Sequence, residues 1–175
     1  ASSLDLHDLC LLALDTGLRR GEACALQWQH IDMESMTLRI TDPKDVTSRS
    51  VYPGSLYTAA VVMLRRRHTQ RASAYVFPGR DGGMRCDSAV TRQFAKILDL
   101  TGLNRGYDDP RLHLTFHGLR HAHATRMLEK GVDIYTLKDL MGHESLATTE
   151  RYLHLCDRTK RAKAMQGGHG GLTIP

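Results

Sequence analysis

The sequence predicts a mainly helical α+β domain with one small antiparallel sheet, and three observations predict it. Apolar residues recur at three-to-four spacing in several stretches closed by glycine, the pattern of helices that bury one face. One stretch, Met36–Ile40, alternates apolar and polar with period two and is followed by a turn and a second extended run. The chain has 175 residues, 41% of them hydrophobic, which suits one packed domain and excludes a disordered chain.

The elements follow in order. Apolar residues at 4, 6, 9, 11, 12, 13 and 14 make Leu4–Leu14 a helix buried over a wide face, stopped at Thr16-Gly17. A second helix spans about residues 20–27, inside RRGEACALQW. Met36–Ile40 is a strand, Pro43 to Ser48 a turn and Arg49–Tyr52 the returning strand, which together make a hairpin. Leu56, Ala59, Ala60, Met63 and Leu64 form one stripe of a helix over Ser55–Arg67. Tyr75–Phe77 is a short extended piece closed by Pro78-Gly79, and Asp87 or Ser88 caps a helix that runs to about Leu100. After a loop over 102–115 come three helices with short joints, over about 116–130, 133–141 and 145–155. The ending QGGHGGLTIP has no periodicity and reads as a flexible tail, and no internal repeat occurs.

Composition narrows the class further. No apolar run approaches the roughly 20 residues that span a bilayer, and residues 1–15 lack a signal-peptide pattern, so a soluble, non-membrane domain is expected. The four cysteines, at 10, 24, 86 and 156, stand too far apart for a disulfide scaffold or a zinc knuckle. Free thiols and a cytoplasmic address are expected. The net charge of +5 is concentrated in residues 44–96, which hold 10 basic and 3 acidic side chains. That block includes Arg65, Arg66, Arg67 and Arg71, and it reads equally as a phosphate-tracking surface or as a solvated helix face.

Three segments carry chemistry. TGLRRGE, residues 16–22, puts Arg19 at a helix start after a glycine turn, where a guanidinium and free backbone N–H groups can meet an anion. HGLRH, residues 117–121, sets His117 beside Arg120 and one turn from His121, a proton-exchanging imidazole next to a fixed positive fork. The His117/His121 spacing also fits a metal-binding helix, but the glutamate of an H-E-x-x-H site is missing. LMGHESLATTERYLH, residues 140–154, exposes His143 after a glycine turn and places Tyr152 nine residues on. Taken singly, each of these residues reads as well as a solvated or core side chain.

In combination, TGLR-x-x-E, H-x-L-R-H, L-x-G-H and a tyrosine nine residues on resemble the catalytic domain of the tyrosine recombinase family (phage integrases and Xer-type resolvases), over roughly Leu4 to Leu155. The resemblance implies that Arg19 and Arg120 clamp a scissile phosphate, that His117 and His143 are the family's two further site positions, and that Tyr152 is the nucleophile. It implies that Glu22 supports Arg19, with His121 a further supporting residue, and that Lys44, the only lysine between residues 1 and 95, is the hairpin lysine. The chemistry asks for these types. The arginines and His143 would stabilise charge growing on the phosphate oxygens, and His117 would assist a phenol whose pKa is ordinarily about 10. Lys44 would protonate the departing 5′-oxygen, giving a 3′-phosphotyrosyl link with no metal or other cofactor.

The resemblance further implies double-stranded DNA as partner, a monomer in free solution, and a homotetramer on paired sites with tail exchange between subunits. It implies a bacterial or phage-encoded, nucleoid-associated recombinase. Arg65, Arg66, Arg67, Arg71 and Arg92 are the expected backbone contacts. The expected layout is a catalytic domain over 1–156 and a tail over 157–175, without the amino-terminal DNA-clasping domain usual in the family, either excised or naturally lacking. Three other readings remain: a type IB topoisomerase-like relaxing enzyme, a DNA-binding relic that no longer cuts, and a histidine-rich metal protein.

Overall fold

The first helix, α1 (Ser3–Thr16), turns Leu6, Leu9, Leu12 and Ala13 into the core. It ends where Gly17 takes φ 67° and its N–H bonds the Ala13 carbonyl at 2.9 Å. That left-handed conformation is one a Cβ would strain. The computed structural model describes residues 3–41, 48–55 and 57–153. Its contacts divide the chain into two units, Ala1–His123 and Ala124–Pro175.

In the first unit, α2 (Arg20–Ala25) buries Ala23 and Cys24 and leads through a 3-10 turn, Trp28–His30, into the sheet. The sheet has three antiparallel strands, β1 (Ile31–Asp32), β2 (Thr37–Thr41) and β3 (Ser48–Val51), in the order β1-β2-β3. The expected hairpin is therefore the larger part of a three-stranded sheet, β1 being too short to show a period. Leu38 and Ile40 are buried while Arg39 between them is exposed, which is the alternation that marked this strand. Met36 stands outside it. It closes the 33–36 turn at φ 51°, and the Asp32 carboxylate accepts from the backbone N–H groups of Glu34 and Ser35 at 2.9 and 3.1 Å.

The next helix, α3 (Thr58–Thr69), buries Ala60, Met63 and Leu64. It begins three residues later than its apolar stripe suggests because the buried Asp15 carboxylate holds the preceding turn, accepting from Gly54 N–H at 2.6 Å and Tyr57 N–H at 2.7 Å. Leu56 of that stripe lies outside the described residues. Tyr75–Phe77 is extended as expected, and it pairs with the stretch after α2: Val76 N–H bonds Leu26 O and Trp28 N–H bonds Ala74 O, both at 2.9 Å. Then α4 (Asp87–Thr101) buries Val90 and Leu98 and ends at Gly102, φ 67°. Its N-cap is Cys86, not Asp87 or Ser88. Asp87 is the first helical residue and is engaged by Arg20, whose Nη2 lies 2.9 Å from its carboxylate. The 102–115 loop contains a 3-10 turn, Pro110–Leu112.

A buried ionic network ties α1 to α3. Asp8, 1% exposed, accepts from Arg67 Nε at 2.7 Å and from Arg66 Nη2. Arg67 Nη2 also donates to Asp5 at 2.7 Å, and its guanidinium stacks over Phe77 at 4.8 Å. Asp8→Ala would remove the buried carboxylate that Arg66 and Arg67 share, leaving Arg67 with Asp5 alone to balance its charge. The expected loss is about 3 kcal/mol of unfolding free energy, read as a lower urea midpoint.

The helix α5 (Phe116–Glu129) begins in the first unit, where Phe116 meets Phe94 edge-to-face, and continues into the second. The second unit then holds α6 (Ile134–Met141), N-capped by Asp133, whose carboxylate accepts from Tyr135 and Thr136 N–H at 3.0 Å each. Residues 146–153 are helical and form α7. Leu137, Met141, Thr149 and Tyr152 are buried. Among the described residues no helix is long and apolar enough to cross a membrane.

Candidate active site

In the first unit the fold brings Arg19, Glu22, His117 and Arg120 to the loop between α1 and α2, and His121 lies against His117. Arg19, in extended conformation, is the N-cap of α2. Arg120 projects from α5, is 3% exposed, and donates from Nη1 to the Gly17 carbonyl. Residues 103 apart in sequence are joined by that bond, two positions from Arg19. The positive φ of Gly17 lets the chain leave α1 sharply enough to offer this carbonyl.

Glu22 is the hub beneath Arg19. Its carboxylate accepts from Arg19 N–H at 2.7 Å and Arg19 Nη1 at 2.9 Å, and from Arg49 Nη1 and Nη2 at 2.9 and 2.6 Å. Burial by itself would raise this carboxyl, but the bidentate bond and charge of Arg49, with the bonds from Arg19, hold it below its ordinary value. Arg49 was not singled out in the sequence. The signal was there, because Arg49 pairs across the ladder with Ile40, and partners across an antiparallel pair point to the same face. Ile40 faces the core, so Arg49 does too. Arg20 also acts here, binding Asp87 and donating from Nη1 to Thr91 Oγ1 at 2.6 Å.

His117 is exposed at the start of α5, its ring 4.4 Å from that of His121, edge to face. Burial of part of the ring, then the charges of Arg120, Arg19 and Arg20, push His117 below the ordinary histidine value. It is therefore a neutral imidazole, able to take a proton, further into the acid range. Among the described residues no group of three or more His, Cys, Asp and Glu side chains gathers to hold a metal ion.

One turn beyond Arg120, His123 is buried, bonds the backbone carbonyls of Leu14 and Asp15, and leaves Nδ1 without a partner. Burial first, with the charge of Arg120, pushes it down to about 4. Between about 6.5 and about 4 the unfolded chain thus takes up a proton that the folded chain refuses, and stability rises with pH across that window. Glu22 adds to the same slope at lower pH, because its depressed carboxyl loses its stabilisation as pH falls through the folded value. The chain should lose on the order of 3 kcal/mol more than His123→Gln between neutral pH and about pH 4, measured by urea unfolding.

In the second unit, α6 stops at Gly142, φ 60°, and the next residue is His143. Its Nδ1 lies 2.9 Å from the hydroxyl of the fully buried Thr149, and its ring stacks on Tyr152 with centroids 6.1 Å apart and planes 8° from parallel. Tyr152 is 5% exposed, held on α7 one turn beyond Thr149. Thr149 too escaped the sequence reading, although its i, i+3 spacing to Tyr152 puts both on one helix face. Lys44 lies outside the described residues, as do residues 157–175.

The arginines expected on DNA divide. Arg66 and Arg67 are engaged by Asp8 and Asp5 and tie α3 to α1, with Arg66 still exposed and Arg67 part-buried. Arg65, Arg71 and Arg92 are exposed, Arg71 donating to the carbonyl of His68 at 2.9 Å and Arg92 lying 3.4 Å from Ser88 Oγ.

A mainly helical domain with this sheet, carrying the Arg–His-x-x-Arg cluster and a histidine–tyrosine stack, agrees with the comparisons. Residues 1–158 match the phage integrase family, and the chain belongs to it. The tyrosine recombinase XerC of Xanthomonas campestris pv. campestris is 34% identical over 168 residues, covering 95% of this chain and 49% of that protein. XerA of Pyrococcus furiosus is 32% identical over 169 residues, covering 93% and 56%. A crystal structure of XerA recombinase superposes with TM-score 0.66 at 27% identity, over 95% of this chain and 64% of that one. The Tn1549 transposon integrase in complex with transposon right end DNA gives TM-score 0.73 at 18% identity, over 93% and 60%, a likeness of fold. The chain spans about half the length of the curated relatives it matches.

Proposed function

We propose that the chain is the catalytic part of a site-specific DNA recombinase that cleaves and rejoins DNA through a 3′-phosphotyrosyl intermediate. The observation that carries the reading is the bond from Arg120 to Gly17, which locks the second motif arginine beside the loop that presents the first. Two fixed cations suit one phosphodiester, whose equatorial oxygens gain charge as it is attacked.

Tyr152 Oη attacks the phosphorus, and its proton passes to a base, the role of the depressed His117. The P–O5′ bond breaks, and the 5′-oxygen takes a proton from Lys44. Attack by another 5′-hydroxyl reverses the step and releases Tyr152, so no external energy source is consumed. Double-stranded DNA is the partner, four copies assemble on paired sites from monomers, and the residues after the nucleophile helix pass between neighbours. Leu100, Leu103, Leu112 and Leu114 of the first unit are each exposed apolar side chains of the kind such an exchange would cover.

Incubating the chain with supercoiled plasmid in chelator at low salt tests the reading. Protein-linked DNA on denaturing gels is the expected product. A requirement for added metal, or no covalent link from the chain and from a longer form of the protein alike, would overturn it. Relaxation without strand exchange on paired sites would favour a topoisomerase-like activity.

Phosphate contacts should dominate affinity for non-specific duplex. With Arg65, Arg71 and Arg92 as three backbone contacts, binding should weaken by about 40-fold between about 50 mM and about 200 mM salt. Each Arg→Gln change should lower the log–log slope by about one in fluorescence anisotropy titrations.

A further inference from the structure

Three thiols are described, and they differ in kind. Burial pushes Cys10 up to about 12 and Cys24 to about 11, and both are inert at neutral pH. Cys86 is exposed at the N-cap of α4, a helix of 15 residues. Its Sγ lies 3.1 Å from Ser88 Oγ; this hydrogen bond first, then the N–H groups of Ala89 and Ser88, lower its pKa from the ordinary thiol value against the opposing charge of Asp87. A thiol at a helix N-terminus is where a thiolate is stabilised.

Beside Cys86 opens a cavity of about 700 Å³, and Arg80, Arg85, Arg92 and Lys96 all line it. Two acids share the wall. Asp5 is already bound by Arg67 and Arg85, and Asp81 accepts from Gly83 N–H at 3.1 Å, so the cations are in excess. Arg85 is the most telling. It is 5% exposed, and it donates from Nε and Nη2 to the Pro78 carbonyl at 3.3 and 3.2 Å and from Nη2 to Asp5 at 3.3 Å. Its Nη1 has no acceptor among the described residues. That nitrogen is closed off from solvent, so Arg85 favours an anion in the cavity through its charge, together with Arg80, Arg92 and Lys96.

We propose that Cys86 is a modification site that exchanges with an acidic low-molecular-weight disulfide of the glutathione type, whose carboxylates are received by the Arg80–Arg85–Lys96 cavity. The Cys86 thiolate attacks one sulfur of the disulfide. The old S–S bond breaks as the new one forms, and the other half departs as a thiolate that takes a proton from water. Cys86 is oxidised and the incoming disulfide is reduced, with no further oxidant. Carboxylates outnumber ammonium groups in such a compound, matching the cation excess of the cavity.

The test uses the full chain carrying Cys156→Ser, exposed in parallel to glutathione disulfide, neutral hydroxyethyl disulfide and cationic cystamine, with intact mass and peptide mapping as readouts. The expected result is a glutathione adduct on Cys86, missing in Cys86→Ser. The ratio of the glutathione to the cystamine rate should fall roughly tenfold in Arg80→Gln/Lys96→Gln, the scale of two exposed charges within a Debye length. An adduct on Cys10 or Cys24, or a rate ratio unchanged in the double variant, would overturn the proposal. Adduct mass is read without DNA, so the result is independent of the strand-joining reading.

Discussion

Tyr152→Phe is expected to abolish protein-linked DNA on supercoiled plasmid, a loss of at least about a thousandfold. The substitution removes only the hydroxyl. The ring that stacks on His143 remains, and the buried packing of α7 keeps its volume. Stability should therefore change by only about 1 kcal/mol, the net worth of one hydrogen-bonding group. Chemistry and fold are thus separated in a single variant, with denaturing gels reading the first and thermal unfolding the second. Linked DNA persisting at the unsubstituted level would place the nucleophile on another side chain.

Arg120→Ala should fail in both respects. Its guanidinium holds the Gly17 carbonyl from a site 97% buried, so truncation leaves an unmatched acceptor and a void beneath the loop that presents Arg19. The expected cost is about 2–4 kcal/mol of stability, together with a loss of covalent product of at least about a hundredfold. Arg120→Lys restores the charge but not the planar fork. It should recover most of the stability and little of the activity. An ammonium is a single point of charge, without the separate nitrogens by which a guanidinium reaches a backbone carbonyl on one side and a phosphate on the other. A lysine variant as active as the parent in plasmid assays would show that charge alone suffices at this position.

How far the sequence could be read depended on how local the cause was. Helices α1, α4, α5 and α6 were legible because their apolar spacing and their terminal Gly17, Gly102, Gly131 and Gly142 lie within a few residues of the backbone they control. The start of α3 was not, because it answers to Asp15, about forty positions earlier in the chain. The two residues of β1 are too few to show a period, and Met36 mimics a strand position while adopting φ 51°. The site divides in the same way. Arg19, Glu22, His117, Arg120, His143 and Tyr152 stand in short motifs. Arg49 and Thr149, which hold Glu22 and His143, act through pairings whose register must be known first. The ion pairs of Arg66 and Arg67 were hidden for the same reason, since their partners Asp5 and Asp8 lie on another helix, although Arg66 is still exposed.

The bond from Arg120 to Gly17 also sets a clock. On a nascent chain made at roughly 5–20 residues per second, the loop carrying Arg19 waits several seconds before its buried partner leaves the ribosome. Closing about a hundred residues of intervening chain also carries a substantial entropy cost, offset only when the core of the first unit has formed. The geometry of the Arg19 loop is therefore completed only once Arg120, 103 residues further along the chain than Gly17, has been made. A chain interrupted before Arg120 keeps the basic side chains of residues 44–96 but lacks the guanidinium that holds the Gly17 carbonyl.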